Sequence, residues 1–258
     1  MRDAAPASTV GWFAERAVAP ALRGSFSCVW THRMPETSAP PVIVTPDATI
    51  DLQWVEGRFR IAGPDKSPQT EIIPSGTTVI GFRFHPGAAA NWLGAGAHEF
   101  LGQRVMLDEV WGAKAKRFAE DVRDDRDIAT LIASLERAIA RATPASSATD
   151  KAMNAAFTLI ERGAPPGVAL IPWLARGLGM SERSLRRKFD EAFGYGPKTL
   201  DRILRYQRFR KLAQLNRDSS TAALAVEAGY ADQAHLVRES RRLTSQTPLA
   251  LARMRRSG

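Results

Sequence analysis

Apolar and polar positions change their period along this chain. In the first hundred residues they alternate: Ile50, Leu52 and Trp54 in TIDLQWV, then Ile80, Phe82 and Phe84 in TTVIGFRFH. A period of two belongs to a strand with one face buried, so both segments read as half-buried strands. Between the strands lie VTPDAT, EGR, AGPDKSP, IPSGT and HPGAAA, whose Gly, Pro and Asp favour tight turns. Short strands at this spacing predict a small barrel or sandwich. In RDIATLIASLERAIARAT the period becomes helical, with Ile128, Leu131, Ile132, Leu135 and Ile139 on one face. Such a stripe packs on its own domain's core or, spanning about two heptads, forms a dimer contact.

Beyond Asp150 the pattern is helical throughout and repeats itself. Pro172–Pro197 aligns with Ala222–Pro248: Ala175 with Ala225 and Gly179 with Gly229, then, one residue out of step, Leu185 with Leu236, Arg187 with Arg238 and Pro197 with Pro248. One inserted residue at a turn, with both flanks in register, predicts two copies of a helix-turn-helix. In each copy an alanine lets a neighbouring helix cross closely, and the glycine four positions later supplies the positive φ that ends the helix. Ser181 and Asp232 are N-caps for the second helix. Leu185 and Phe189 face inward in one copy and Leu236 in the other, which leaves Arg183, Arg186 and Arg187, and Gln233, Val237 and Arg238, outward. TLDRILRYQRFRKLAQL between the copies, with Leu200, Ile203, Leu204, Leu212 and Leu215 apolar, predicts a long helix holding the two units.

Charge gives these helices a partner. Residues 151–258 hold 20 of the 36 Lys and Arg but 9 of the 27 Asp and Glu, a net +11, while residues 1–150 are at −2. An excess confined to one part of the chain points to an anionic partner for that part, nucleic acid before an acidic membrane. Arginine pairs bidentately with guanine and glutamine with adenine. Arg183, Arg186, Gln233 and Val237 differ between copies and are candidates for base reading. Arg187 and Arg238 recur in both, so they either read bases or bridge to an acid on the preceding helix. Lys188, Arg241 and Arg242 are candidates for phosphate contact.

Other chemistry is sparse. The histidines, His32, His85, His98 and His235, form no His-x-His pair, and His98 and Glu99 are adjacent, so no metal site or cofactor is expected. His235 reads as a packing or backbone-contact residue, and Cys28, the one cysteine, as a small strand residue in a core. Trp30, Trp54, Trp92 and Trp111 line an effector pocket or are core. No charge-free stretch is long enough for a membrane span. Glu15 and Arg16 interrupt any signal-peptide core, and a cytoplasmic protein that is not an enzyme is expected.

Residues from about Leu170 to Arg253 resemble the DNA-binding domain of the AraC family of bacterial transcription regulators. The resemblance is carried by Ser181, Leu185, Arg187, Phe189, Gly194 and Pro197 in the first unit, and by Gly229-Tyr230, Asp232, His235-Leu236, Arg238 and Thr247-Pro248 in the second. The family's linker-helix arginine falls at Arg205. Ser240 stands where the family usually has a core phenylalanine and Ser245 where it has glycine, which predicts a less tightly packed second unit. The resemblance further implies a cupin-like N-terminal β-barrel that senses a ligand or dimerises. GFRFHPGAAANWLG resembles the N-terminal domain of one poorly characterised subgroup. The expected fold is α+β: a β-barrel or cupin-like domain with trailing helices over 1–142, a linker over 143–150, and an all-α DNA-binding domain over 151–258. Expected partners are promoter DNA, a small-molecule effector whose binding residues the sequence does not name, a second copy of the chain, and RNA polymerase if the protein activates. The rival readings are a constitutive DNA-binder whose N-terminal domain only dimerises, and a cupin-like enzyme fused to a DNA-binding module.

Overall fold

The computed structural model describes residues 11–37, 40–122, 127–144, 150–165, 167–216 and 218–248. Eight strands come first: β1 (Trp12–Arg16), β2 (Phe26–Arg33), β3 (Val42–Val44), β4 (Asp51–Val55), β5 (Arg58–Ala62), β6 (Gln69–Glu71), β7 (Thr78–Phe84) and β8 (Arg104–Met106). Helix α1 (Ala89–Leu93) and a 3₁₀ turn (Ala97–Phe100) precede β8; α2 (Leu107–Trp111), α3 (Ala113–Glu120) and α4 (Ile128–Ala142) follow it. The remaining helices are α5 (Lys151–Arg162), α6 (Leu170–Gly177), α7 (Glu182–Phe193), α8 (Pro197–Leu215), α9 (Thr221–Glu227) and α10 (Gln233–Thr244). The chain is thus α+β, with a sheet-rich N-terminal domain and a helical C-terminal one.

Six strands form one antiparallel sheet in the order β1-β2-β7-β4-β5-β8, and β3 pairs with β6 in a two-stranded ladder. The alternation read from the sequence holds: Leu52, Trp54, Ile80, Phe82 and Phe84 all point into one core. Helices α1 to α4 cover that face, and the stripe Ile128, Leu131, Ile132, Leu135 and Ile139 lies in the same core. That helix face is therefore consumed within its own domain. Of the four candidate tryptophans, Trp54 and Trp92 are buried in this core and Trp111 packs at its margin, while Trp30 lies in a small cluster with Cys28 and Val79. Trp92 packs against Phe26, Phe84, Trp111 and Phe118, and its indole N–H donates to Thr143 Oγ1 at 3.0 Å.

The second face of the sheet departs from the half-buried expectation. Asp51 and Gln53 are each 6% exposed. On this face Arg83 pairs with Asp51 at 3.1 Å, and Trp30 Nε1 donates to the same carboxylate at 3.1 Å. The Trp30 indole lies over Gly81, where a Cβ would stand 2.1 Å from the ring. Farther along, Glu71 of β6 reaches Arg60 at 2.7 Å and also Arg104, which grips Asp65 at 2.9 Å. The polar residues of the alternation are buried because they pair across strands, which satisfies charges that would otherwise be costly to desolvate. Burial alone would raise Glu71, but Arg104 and Arg60 outweigh it and hold its carboxyl below the usual range. Burial prevails at Asp51 against Arg83, and at Asp65 against Arg104, raising both. Cys28 lies on this face in β2, and burial pushes its thiol up to about 11 despite Arg83, so it stays an unreactive thiol.

The helical domain has a separate core built from Met153 to Leu243, joined by Ala48 of the β domain. Leu200, Ile203 and Leu204 of α8 sit in it as expected, with Leu212 at its margin. Leu215 does not: it is 70% exposed at the end of the helix.

Candidate nucleic-acid interface

The repeat in the sequence is a repeat in space. Helix α6 leads to α7 as α9 leads to α10, and both second helices begin and end one insertion out of step with the first. Gly179 and Gly229 both have positive φ. Just after them, Met180 N–H donates to Ala175 C=O at 3.0 Å and Tyr230 N–H to Ala225 C=O at 2.9 Å. This closes each first helix in the same manner. Ser181 Oγ accepts from the Ser184 amide, and an Asp232 oxygen from that of His235, so each expected N-cap is made. Leu185, Phe189 and Leu236 are fully buried.

Opposite these anchors lie the cations. Arg183, Arg187, Gln233, Arg238 and Arg241 are exposed, and Val237 is half-buried on the flank. Arg186 reaches back to Glu182 at 3.6 Å with its side chain 63% exposed, and Arg242 to Glu239 at 3.6 Å; such solvated pairs contribute little and open readily. Arg187 and Arg238 form no ion pair among the described residues, so neither bridges to an acid on the preceding helix there. Lys188 is turned aside, donating at 2.8 Å to Asp150 at the N-cap of α5. Burial would raise Asp150, but Lys188 and the amides of Met153 and Ala152 outweigh it and hold the carboxyl low.

Helix α8 joins the units through residues that the apolar pattern could not show. Arg205 pairs with Asp201 and lies 5.6 Å from the Tyr230 ring. Arg208 donates to Ala228 O at 2.9 Å, to Ile160 O at 3.3 Å and to Glu161 O, so it satisfies the C-terminal carbonyls of α9 and α5 together. Burial lowers its proton affinity below an ordinary arginine's, against the pull of Asp201. The looser second unit predicted from Ser240 is not found. Ser240 is fully buried, its hydroxyl donates to Gln246 O at 2.9 Å, and Tyr206, also fully buried, lies beside it. The Tyr206 hydroxyl of α8 stands 3.4 Å from that of Ser240, so the buried serine is met by a polar partner and by the large side chain that carries it.

Ser245 carries a cost of another kind. It ends α10 in the left-handed region, at φ 59°, just as Gly194 ends α7 at φ 74°. For a residue with a Cβ this conformation costs roughly 1 kcal/mol. Ser245→Gly should therefore raise stability by about 1 kcal/mol, read as a higher urea midpoint with unchanged slope; an unchanged or lower midpoint would refute the strain.

The histidines stand apart. His32 is buried in β2, His85 Nε2 is 3.0 Å from Arg23 O, His98 faces Asp190 at 3.9 Å, and His235 packs edge-on against Tyr230. Among the described residues no group of three His, Cys, Asp or Glu is arranged to hold a metal, and no helix is long and apolar enough to cross a membrane.

Residues 174–254 match a family model described as a helix-turn-helix domain, and residues 15–106 one described as a domain of unknown function (DUF6597). No curated protein matches the chain. Among solved structures, ToxT from Vibrio cholerae O395 is 12% identical over 93% of this chain and 97% of that one, with a TM-score of 0.47. An apo ToxT variant from V. cholerae strain SCE256 is 9% identical over 96% and 98%, with a TM-score of 0.44. Wild-type ToxT from the same strain, with unsaturated fatty acid bound, is 10% identical over 93% and 94%, with a TM-score of 0.42. Residues 174–254 are thus a helix-turn-helix domain of the AraC type, placed after an N-terminal domain of unknown function.

Proposed function

We propose that the protein is a cytoplasmic, sequence-selective regulator of transcription that lays α7 and α10 in successive major grooves on one side of promoter DNA. One observation carries this reading: two helices, capped and anchored alike, each present cations opposite the buried anchor, joined on α10 by the exposed Gln233. In this reading Arg183, Arg186, Gln233 and Val237 contact base edges, and Arg187 and Arg238 sit centrally on the outward faces. Arg241 and Arg242 meet phosphates, as does Lys188 once it leaves Asp150. Residues 1–142 form the domain that responds to a small molecule or pairs two copies, 143–150 link, and 151–258 bind DNA. RNA polymerase is a further partner if the protein activates.

Selection of genomic fragments on the purified protein, followed by footprinting, tests this. The expected result is two protected elements about one helical turn, ~34 Å, apart. Retention of all fragments alike, abolished together by salt, would defeat sequence selectivity. Within a selected site, Arg186→Ala should relax preference at one or two base pairs, worth about 1–3 kcal/mol; equal weakening on every sequence would make Arg186 a phosphate contact.

A second reading, a constitutive DNA-binder whose N-terminal domain only pairs two copies, is favoured by the filled aromatic core. Trp54 packs on Phe59, Phe59 on Phe118, and Trp92 among four rings. A small molecule that raises the melting temperature of the N-terminal domain would decide for sensing.

A further inference from the structure

The two helix-turn-helix copies diverge where α7 and α10 end. Asp190 of the first copy stands where the second has Arg241, Gly194 where it has Ser245, and Tyr195 where it has Gln246. In the second copy this end is exposed at Arg241, Arg242 and Ser245. In the first it is docked on the β domain. Gly194 lies so close to that domain that a Cβ would stand 2.8 Å from Pro64 Cγ and 2.9 Å from Ala97 O. Asp190 faces His98 at 3.9 Å, and Tyr195 is buried. Beside them, Gln207 of α8 donates to Pro46 O at 2.6 Å, and Ala48 enters the helical core.

The docking turn is itself fixed from inside the β domain. Asp65 follows Pro64 directly and is held by both Arg104 Nη atoms, at 3.1 and 2.9 Å. Pro64 O accepts from the Gly102 amide at 2.8 Å. The outward face of α7 stays uncovered, since Arg183, Arg186 and Arg187 remain exposed. Docking therefore orients the helix and does not mask it. Helices α9 and α10 pack chiefly on α8 and on each other.

We propose that the Gly63–Asp65 turn and the Ala97–Phe100 turn clamp the C-terminal end of α7, fixing the angle at which the first unit meets DNA while α8 alone orients the second. Gly194 is the positioning residue: its missing side chain lets the domains close. This rests on the DNA-binding reading of the helical domain.

The test compares Gly194→Ala with Gly179→Ala in the full chain. Both place a side chain on left-handed backbone in the first unit, at φ 74° and 63°, but a Cβ at Gly179 meets nothing within 4 Å. On DNA selected by the unsubstituted protein, the first unit's element is identified by cleavage from an iron chelate tethered through Arg176→Cys, an exposed position on α6 outside the residues assigned to DNA. Gly194→Ala should need at least tenfold more protein to protect that element and little more to protect the other, and amide exchange should quicken at 46–49 and 97–101. Gly179→Ala should leave exchange at those segments unchanged. Equal footprints and equal exchange for the two variants would overturn the clamp. Stronger protection of the first element by Gly194→Ala would overturn it too, by making docking inhibitory. If the unsubstituted protein protects no element, the DNA reading fails, and the exchange comparison alone decides whether Gly194 closes the domains.

Discussion

Trp92→Ala should destabilise the N-terminal domain by about 3–5 kcal/mol, the range for truncating a large buried aromatic side chain. Trp92 is 1% exposed. It stands where the sheet face meets the helices, against Phe26 and Phe84 on one side and Trp111 and Phe118 on the other. Removing it opens a cavity that four rings fixed by their own strands and helices cannot refill. The hydrogen bond to Thr143 is the smaller part of the loss. Thr143 Oγ1 keeps its own proton on Ile139 O at 2.7 Å, so the hydroxyl is not orphaned. Trp92→Phe should therefore cost appreciably less than Trp92→Ala. Urea unfolding followed by near-ultraviolet dichroism measures both. A loss below about 1 kcal/mol for the alanine variant would mean that the cluster is not the keystone of this core.

Arg208→Leu should cost the helical domain about 3 kcal/mol and weaken both units together. Hydrogen bonds from a charged group contribute about 1.5–3 kcal/mol each, and Arg208 makes three, to carbonyls at the ends of two helices. Two of the three set the estimate, at the lower end because the site is partly solvated; the third, to Ile160 O, is long at 3.3 Å, and that carbonyl also accepts from the Gly163 amide at 2.9 Å. Leucine keeps most of the stem's packing but leaves Ala228 O, Ile160 O and Glu161 O without their shared donor. Arg208→Lys should recover less than half, since an ammonium lacks the planar fork that reaches α5 and α9 at once. Thermal unfolding and DNA affinity should fall together. A variant that melted normally yet lost affinity would instead place Arg208 on the DNA.

Much of this architecture was legible in the sequence because its causes are local. The alternation about Leu52 and Phe82 is a backbone period, and the caps at Ser181 and Asp232 and the breaks at Gly179 and Gly229 are each set within a few residues. What was not legible is long-range. Asp51, Gln53, Arg60 and Arg83 look like the solvent side of strands, and nothing near them announces that Glu71 and Arg104 will close over that face. Ser240 looks like a hole until Tyr206, 34 residues earlier, lies against it. Leu215 fits the apolar pattern of α8 but extends beyond what that helix packs on. Arg208 lies in a helix rich in arginine, where no local feature separates the one that ties helix ends from the rest. The docking of α7 did leave a trace: its repeat-mate ends in Arg241, Arg242 and Ser245 where α7 ends in Asp190, Glu191 and Gly194.

The arginines and carboxylates between the two sheets also constrain how this chain can drift. Glu71 serves Arg60 and Arg104, and Arg104 serves Asp65 in turn, so each member is the counter-ion of another. Losing one leaves a buried charge uncompensated, at about 3–5 kcal/mol, whereas exchanging the whole group for apolar residues of similar volume is often neutral. Single steps through this region are steep and a concerted replacement is level. A lineage that has crossed will carry an apolar interior with all four changed, and intermediates with one or two changes should be rare among stable descendants.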